Sequence, residues 1–178
     1  MAAMTKAETH RSIMVLGGAR SGKSRRAATL AESSGLAPLL VATATAGDAE
    51  MAARIEQHRH DRGPNWTTIE EPVDLVGVLT SNGDPARILV VDCLTLWLSN
   101  LMFAGLECGP AVDSLVHAVA STKGPCIFVT NEVGQGIVPD NAMARDFRDH
   151  QGRLNQKLAA ACDTVELVVA GIPLRIKP

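Results

Sequence analysis

Short, nearly continuous apolar runs alternate along this chain with longer amphipathic stretches, and this alternation limits the folds that the chain can adopt. It is typical of an α/β protein with a mostly parallel sheet, because strands covered by helices on both faces are apolar throughout. The continuous runs predict the strands Ser12–Leu16, Pro38–Ala42, Ile88–Val91, Cys126–Val129 and Val165–Val169. The run Trp66–Glu70 alternates and is more polar, which predicts an edge strand, and Leu174–Lys177 predicts a short last strand.

The amphipathic stretches between these runs predict the helices Lys23–Ser33, Asp48–Arg62, Val73–Thr80, Leu94–Leu106, Ala111–Thr122 and Asn141–Cys162. No internal repeat, low-complexity tract or linker interrupts this order. With 178 residues, the chain is long enough for one domain with a sizeable core and short for two. We therefore expect a single domain over residues 12–178, preceded by a flexible polar tail over residues 1–11.

A glycine-rich segment follows the first predicted strand directly and opens the first predicted helix. It fits the pattern G-x-x-x-x-G-K-[ST] with Gly17, Gly18, Ala19, Arg20, Ser21, Gly22, Lys23 and Ser24. Glycines here let backbone N–H groups and the positive end of the following helix surround phosphate oxygens. Lys23 would carry charge to the β- and γ-phosphates, and the Ser24 hydroxyl would reach Mg²⁺. The segment predicts a nucleoside triphosphate site, and the alternative is a glycine-rich turn that matches by chance.

A phosphate loop of this kind works with an acidic residue at the end of a neighbouring buried strand, which holds the metal directly or through water. Asp92 ends the predicted strand Ile88–Val91 and is the candidate for this role. The alternative is that Asp92 is the N-cap of the helix that begins at Leu94. Beside a phosphate loop, the metal role is favoured.

One face of the predicted helix Asp48–Arg62 carries Glu50, Arg54, His58 and Arg62 at successive i, i+4 steps. Spacing alone favours a solvated charged face. The alternative is a phosphate-facing stripe in which a neutral His58 imidazole acts as a nucleophile, since its ordinary pKa is near ~6.5. His60 is the nearby rival, although it lies off that face.

Polar residues also follow the predicted strand Cys126–Val129, in the segment Thr130–Pro139 (TNEVGQGIVP). A carboxylate, an amide and two glycines at the carboxyl end of a strand suit an active-site loop, and a structural turn is the alternative. The helix that follows, Asn141–Cys162, is polar on more than one side. It could line a site or make a subunit contact.

Composition excludes several classes of protein. The formal net charge of −2 gives no electrostatic footprint for nucleic acid. The four cysteines form no C-x-x-C pair, which argues against a zinc site and against a disulfide-rich secreted scaffold; they are Cys93, Cys108, Cys126 and Cys162. No signal peptide and no apolar run of about 20 residues is present, so we expect a cytoplasmic protein without a transmembrane segment. The guanine-reading sequence N-K-x-D of regulatory GTPases is also absent.

The sequence closely resembles the bifunctional adenosylcobinamide kinase/adenosylcobinamide-phosphate guanylyltransferases of cobalamin biosynthesis. The resemblance covers nearly everything after the first 11 residues, and the TNEVG…GIVP and FRD…G..NQ blocks discriminate better than the phosphate loop does. The segments that carry it are Gly17–Arg25, Ala49–Arg59, Thr130–Pro139, Ala144–Asp163 and Val168–Lys177.

The resemblance implies a P-loop NTPase fold of the RecA-like type and two reactions. The enzyme would phosphorylate adenosylcobinamide with ATP or GTP, and would then transfer GMP from GTP to that phosphate, releasing pyrophosphate. The second transfer would pass through a guanylyl-histidine on His58, which the family's R-I-x-x-H stretch places at Arg54–His58.

The resemblance also implies the residues and partners of the site. His58 and Lys23 would be catalytic, and Mg²⁺ would be held by Ser24 and Asp92. Beyond the phosphate loop, the nucleotide contacts would be Ala42, Thr43, Ala44, Arg59, His60, Asp61, Arg62, Glu70 and Asp92. The general base of the kinase step stays open between Asp92 and Glu132. A homo-oligomer is expected, with a trimer as a form that the family can take.

Two other functions fit parts of the sequence. A single-activity P-loop kinase for a small molecule would use the phosphate loop alone, with His58 on a charged helix face. A nucleotide-binding regulatory module would change shape with the nucleotide and modify no substrate.

Overall fold

The computed structural model describes residues 12–44 and 63–178, and in that part of the chain the apolar runs form a seven-stranded sheet. The strands are β1 (Ser12–Gly17), β2 (Ala37–Ala42), β3 (Thr67–Glu70), β4 (Arg87–Asp92), β5 (Cys126–Asn131), β6 (Thr164–Val169) and β7 (Ile172–Lys177). The helices of the described residues are α1 (Lys23–Ser33), α2 (Leu75–Asn82), α3 (Leu94–Phe103), α4 (Cys108–Ser121) and α5 (Ala142–Ala161).

All seven predicted strands and five of the six predicted helices are present, with ends that differ by at most three residues. The sixth predicted helix, Asp48–Arg62, and the predicted tail, residues 1–11, lie outside the described residues. None of the described helices combines the length and the apolar character that a membrane span requires.

The order of the strands in the sheet is β3-β2-β4-β5-β1-β6-β7. All neighbouring strands are parallel except β6 and β7, which form an antiparallel pair. The prediction of a mostly parallel sheet is therefore confirmed, and so is the edge position of β3. Because parallel strands end at the same side of a sheet, β1, β2, β4 and β5 bring their carboxyl ends to one edge, where ligands of open α/β sheets bind.

Consecutive residues of the central strands pack on opposite faces of the sheet, which explains why the runs are continuously apolar. Phe128 belongs to a core cluster with residues of α2 to α5, and its neighbour Ile127 belongs to a second cluster with Ala27 and Ala31 of α1. All four side chains are completely buried. Helices on both faces thus enclose β1, β4 and β5, and only the ends of these strands can carry a site.

The two phenylalanines Phe128 and Phe103 provide a matched test of this core. Phe128 is 0% exposed in the middle of the sheet, whereas Phe103 is 78% exposed at the end of α3. We expect Phe128→Ala to lower the free energy of unfolding by about 3–5 kcal/mol, because it leaves a cavity among side chains that cannot close around it. Phe103→Ala should change it by less than about 0.5 kcal/mol. Urea denaturation of both variants measures the difference, and equal losses would contradict the assignment of the core.

Candidate nucleotide-binding site

The glycine-rich segment forms a loop between the end of β1 at Gly17 and the start of α1 at Lys23. The Ser21 N–H donates to the Gly18 carbonyl at 3.3 Å, which closes a tight turn. Gly22 occupies the N-cap position of α1 with a φ of 102°. Residues other than glycine rarely adopt this backbone conformation. The loop therefore has the strand–loop–helix context that the sequence predicted, with the amino terminus of α1 at its base.

Gly17 is the point at which this loop touches the neighbouring strand β6. A Cβ atom at position 17 would lie 2.5 Å from the carbonyl oxygen of Val168 and 2.8 Å from the Ser21 Oγ. The turn after β6 also holds the loop, since the Gly171 N–H donates to the Ser21 carbonyl at 2.8 Å. The path of the loop thus depends on a backbone approach that only glycine permits at this position.

The side chain of Lys23 lies inside the loop and donates to the Gly18 carbonyl. Only 7% of the residue is exposed. Burial lowers the pKa of the Lys23 amine, while the charges of Cys93 and Asp92 act in the opposite direction. This electrostatic coupling connects the phosphate loop with the end of β4.

A second polar group in the loop is the hydroxyl of Ser21. It is buried and has no hydrogen-bond partner among the residues that the structure describes. A buried hydroxyl without a partner is costly, and a phosphate oxygen could accept a hydrogen bond from it. Ser21 therefore fits the predicted phosphate site.

Asp92 is the last residue of β4, and its Cα is level with Val129 of β5 and with Ala42 of β2. The alternative role of Asp92 as the N-cap of α3 is wrong, because Cys93 occupies that position. The neighbouring strand ends are joined through Thr43, whose hydroxyl donates to the Cys93 carbonyl at 2.7 Å and accepts from the Cys93 N–H at 2.8 Å. Thr43 is completely buried, so its side chain fixes Asp92 relative to β2.

The other predicted contacts at the sheet edge are less close to the phosphate loop. Glu70 ends β3 and is paired in register with Ala42, so it flanks β2 on the side opposite to Asp92. Four strand spacings separate β3 from β1, or about 19 Å, against about 10 Å for β4. The structure thus brings Asp92 near the phosphate loop and places Ala42, Thr43 and Glu70 progressively further along the edge. Ala44 is the last described residue before the gap.

The predicted nucleophile and its neighbours, His58, Arg59, His60, Asp61 and Arg62, lie outside the described residues. The chain leaves β2 through Thr43 and Ala44, at the carboxyl edge of the sheet, immediately before the segment that contains them.

β5 continues two residues further than predicted, through Thr130 and Asn131, because buried amides satisfy its polar groups. The Thr130 hydroxyl donates to the Asn155 Oδ1 at 2.8 Å and accepts from the Gln151 Nε2 at 2.9 Å. The Asn155 Nδ2 donates to the Asn131 carbonyl at 3.0 Å. Thr130 and Gln151 are completely buried, and Asn155 is 6% exposed. Helix α5 is therefore bound to the end of β5 by a polar network.

The sequence patterns above do not predict this network, although the sequence contains a signal for it. Gln151 and Asn155 interrupt the stripe of α5 that otherwise packs its apolar residues, Leu154 and Leu158, into the core. Amides on the buried face of a helix imply polar partners on the element beneath it. Helix α5 therefore acts on the candidate site indirectly, because its buried amides support the end of β5.

A second feature that the sequence did not reveal is a buried ion pair beside the phosphate loop. The guanidinium of Arg26 in α1 binds the carboxylate of Glu166 in β6 through two hydrogen bonds, of 2.7 and 2.8 Å. Glu166 is 3% exposed, and Arg175 of β7 lies 3.8 Å from the same carboxylate. The hydrogen bond from Arg26 lowers the pKa of Glu166. Because Arg26 follows the loop in α1, the pair holds the phosphate loop against β6.

The loop borders a cleft of about 410 Å³ at the carboxyl edge. Its walls come from the phosphate loop, from the segment after β5 and from the end of β6; they are Gly18, Ala19, Arg20, Ser21, Glu132, Gln135 and residues 167–170. The segment after β5 thus lines the same cleft as the phosphate loop, which favours the interpretation as an active-site loop over that as a structural turn.

The sheet order, the loop and the buried lysine together define a P-loop NTPase fold. Two solved structures have the same fold, although their sequences are only 11% identical to this one. A protein from Pyrococcus horikoshii OT3 superimposes with a TM-score of 0.53, covering 94% of this chain and 86% of that chain. An ATPase from the type III secretion system of pathogenic bacteria gives 0.52, covering 88% and 50%. These similarities concern the fold alone.

The sequence itself identifies the family. Residues 13–176 match the family described as cobinamide kinase / cobinamide phosphate guanyltransferase, and the chain belongs to this family. The bifunctional adenosylcobalamin biosynthesis protein CobP of Pseudomonas aeruginosa is 44% identical over 166 residues, covering 92% of this chain and 96% of the relative. The corresponding protein CobU of Salmonella typhimurium is 43% identical over 182 residues, covering 93% and 99%. The predicted family is confirmed, and with it the enzyme class, a kinase and guanylyltransferase of cobalamin biosynthesis.

The approach of Gly17 to β6 predicts a specific effect on nucleotide binding. We expect Gly17→Ala to weaken GTP binding at least tenfold, because the new methyl group would overlap the backbone of Val168 and displace the loop. Gly109→Ala in α4 is the matched control, since a Cβ there meets nothing within 4 Å. Titration calorimetry with GTP compares the two variants. Unchanged affinity in Gly17→Ala would contradict the role given to this contact.

The ion pair of Arg26 and Glu166 predicts an asymmetric loss of stability. Arg26→Met leaves a buried carboxylate with only the more distant Arg175, and should cost about 3 kcal/mol of unfolding free energy. Glu166→Gln should cost about 1 kcal/mol, because Arg26 is partly exposed and keeps an amide oxygen as acceptor. Urea denaturation at neutral pH measures both values. The reverse order would show that the carboxylate is not the buried member of the pair.

The same pair predicts the direction of a pH effect. The folded-state pKa of Glu166 is lower than its ordinary value of 4.5, so its contribution to stability is present above pH 4.5 and is lost as the pH falls through the folded-state pKa. The difference in unfolding free energy between the wild type and Glu166→Gln should therefore shrink on acidification below pH 4.5. Denaturation curves of both proteins between neutral and acidic pH test this expectation, and a constant difference would contradict it.

Proposed function

We propose that this enzyme uses one phosphate cradle for two successive attacks, at the γ-phosphorus in the kinase step and at the α-phosphorus in guanylylation. In the first, the hydroxyl of adenosylcobinamide takes a phosphoryl group from ATP or GTP. In the second, GMP passes from GTP to the new phosphate, and pyrophosphate leaves. The observation that carries this proposal is the buried Lys23 within a P-loop at the end of β1, in a chain of this family.

The kinase step depends mostly on positioning and charge neutralisation. The Lys23 amine and the N–H groups at the start of α1 can bind the β- and γ-phosphates, and the Ser21 hydroxyl is free to donate to one of their oxygens. Donors fixed in this way need no rearrangement as charge develops on the transferring group.

Two oxygen-bearing residues close to Lys23 fit a magnesium ion. Asp92 ends β4 and is coupled electrostatically to Lys23, and Ser24 is the second residue of α1. A carboxylate and a hydroxyl are oxygen ligands of the kind that Mg²⁺ prefers. We assign Ser24 and Asp92 as the residues that would hold it, and when bound it would neutralise charge on the phosphates.

Guanylylation needs a nucleophile for the α-phosphorus, and we assign this role to His58. The assignment rests on the R-I-x-x-H stretch at Arg54–His58, which matches the family's motif. A neutral imidazole is a competent nucleophile, and a phosphoramidate intermediate divides one difficult displacement into two easier ones. The exit of the chain from β2 at the carboxyl edge, just before this segment, supports the assignment.

The remaining contacts extend along the edge, away from the phosphates. We propose that the nucleotide lies from the phosphate loop towards β2 and β3. Its further contacts would be Ala42, Thr43, Ala44, Arg59, His60, Asp61, Arg62 and Glu70. The distance of about 19 Å between β1 and β3 means that Glu70 can contact only the end of the nucleotide remote from the phosphates.

We also propose a cytoplasmic homo-oligomer, with a trimer as the form to test first. One domain over residues 12–178 would perform both reactions. These proposals rest on the resemblance to the family.

Guanylylation predicts a covalent protein intermediate. Wild-type enzyme incubated with Mg²⁺ and GTP labelled at the α-phosphate should acquire an acid-labile label, because P–N bonds hydrolyse in acid. His58→Ala should lose the label, and His117→Ala, at an exposed histidine of α4, should keep it as the matched control. Gel electrophoresis with autoradiography, before and after acid treatment, measures the outcome.

The possible results separate the competing functions. A full-strength label in His58→Ala would exclude His58 as the nucleophile. No label on a wild-type protein that phosphorylates adenosylcobinamide would leave a kinase with a single activity. Nucleotide binding without transfer to either acceptor would indicate a regulatory module.

A further inference from the structure

Glu132 is the first residue after β5 and stands directly beside the phosphate loop. Its N–H donates to the carbonyl of Gly17 at 3.1 Å, and Gly17 is in register with Asn131. Glu132 is half-buried and lines the same cleft as the loop residues Ala19 and Ser21. A carboxylate is therefore held in the wall of the cleft that borders the phosphate loop.

The backbone that carries Glu132 is held on both sides. The Asn131 N–H donates to the Thr95 hydroxyl of α3 at 2.9 Å, and the Asn131 carbonyl accepts from Asn155 of α5 at 3.0 Å. The Glu132 Oε1 accepts from the Gly134 N–H at 2.9 Å, while among the described residues no hydrogen bond to its Oε2 is recorded. One carboxylate oxygen thus fixes the side chain, and the other is available to a ligand in the cleft.

Asp92, the other acidic candidate, lies deeper at the same edge. It is level with Val129, so that β5 extends two more residues, or about 7 Å, before Glu132 begins. Asp92 is coupled to Lys23 at the base of the loop and is not among the residues that line the cleft. A position beside Lys23 suits a metal ligand, whereas an acceptor that enters the cleft meets Glu132 in its wall.

We propose that Glu132 accepts the proton of the attacking hydroxyl in the kinase step. The hydroxyl oxygen forms a bond to the γ-phosphorus as the bond from that phosphorus to the bridging oxygen breaks. The bonding pair remains on the terminal phosphate of the departing nucleoside diphosphate, and the hydroxyl proton passes to the Glu132 carboxylate. This inference rests on the proposed kinase function and assigns a general base that the sequence left open between Asp92 and Glu132.

The two transfers differ in their need for such a base. An alcohol loses a proton when it attacks phosphorus, so a carboxylate at its oxygen accelerates the reaction. The acceptor of the second transfer is a phosphate monoester, whose second pKa is about 6, so its oxygens carry no proton above neutral pH. Removal of the Glu132 carboxylate should therefore affect the first transfer and spare the second.

The experiment compares Glu132→Gln with the wild type in two separate assays at pH 8. The first measures phosphorylation of adenosylcobinamide with ATP as the donor. The second measures GMP transfer from GTP to adenosylcobinamide phosphate prepared beforehand. The glutamine keeps an oxygen that can accept from the Gly134 N–H, and Asp140→Asn, an exposed carboxylate further along the same segment, is the matched control.

We expect Glu132→Gln to lower kcat of phosphorylation at least 100-fold, within the range typical of a lost general base, and to leave GMP transfer within about threefold. Glu132→Asp should recover part of the phosphorylation rate, because the carboxylate is retained but withdrawn by one methylene group. Asp140→Asn should match the wild type in both assays.

A phosphorylation rate within threefold of the wild type in Glu132→Gln would overturn the proposal. Equal losses in both assays would also overturn it, since they would indicate a structural role, and Glu132→Asp checks this in a variant that keeps the charge. If the wild type forms no protein-bound GMP, the guanylyl-histidine fails as a mechanism. The ATP-dependent assay of Glu132→Gln would still decide the role of Glu132.

Discussion

The backbone of β1 at Gly17 contacts both neighbouring strands, and the geometry of the nucleotide site depends on that contact. On one side, its carbonyl accepts from Glu132 after β5. On the other, its Cα lies so close to the Val168 carbonyl of β6 that a side chain would overlap it. Since the phosphate loop starts at the same residue, a shift of Gly17 would move the loop relative to both walls of the cleft. The position of β1 between β5 and β6 thus sets where the phosphate loop lies relative to Glu132 and Val168.

Polar contacts, rather than apolar ones, orient the helices that border this junction. Arg26 and Glu166 join α1 to β6 on one face of the sheet, and Thr130, Gln151 and Asn155 join α5 to β5 on the other. Burial of these groups is offset by hydrogen bonds that have strict geometry, whereas apolar packing alone tolerates small rotations of a helix. Buried polar groups on both faces of the sheet therefore fix the helices that lie next to the phosphate loop and to the end of β5.

The register of the strands separates two acidic residues. Asp92 is level with Val129 of β5 and is coupled electrostatically to Lys23, whereas Glu132 follows Val129 by three residues and lines the cleft. The difference follows from strand length alone, because β5 continues beyond the level at which β4 ends. A sheet with strands of unequal length can thus present one carboxylate to a metal and another to an entering substrate, without any added loop.

Local patterns were sufficient for much of this protein. Within residues 12–44 and 63–178, apolar runs and helical spacing located the seven strands and the five helices. The G-x-x-x-x-G-K-S segment located the phosphate loop. These signals depend on residues close together in the chain. The discriminating segments around Thr130–Pro139 identified the family without reference to any contact. The end of β5 was placed too early, since Thr130 and Asn131 are polar and their partners in α5 lie more than one helical turn into a later element.

The order of the strands was decided only by the tertiary structure, which pairs segments far apart in sequence. That order puts Glu132 beside Gly17, whereas Glu70 lies four strand spacings from β1. In the sequence, both are simply glutamates at the end of a strand, so the sequence patterns alone could not tell them apart.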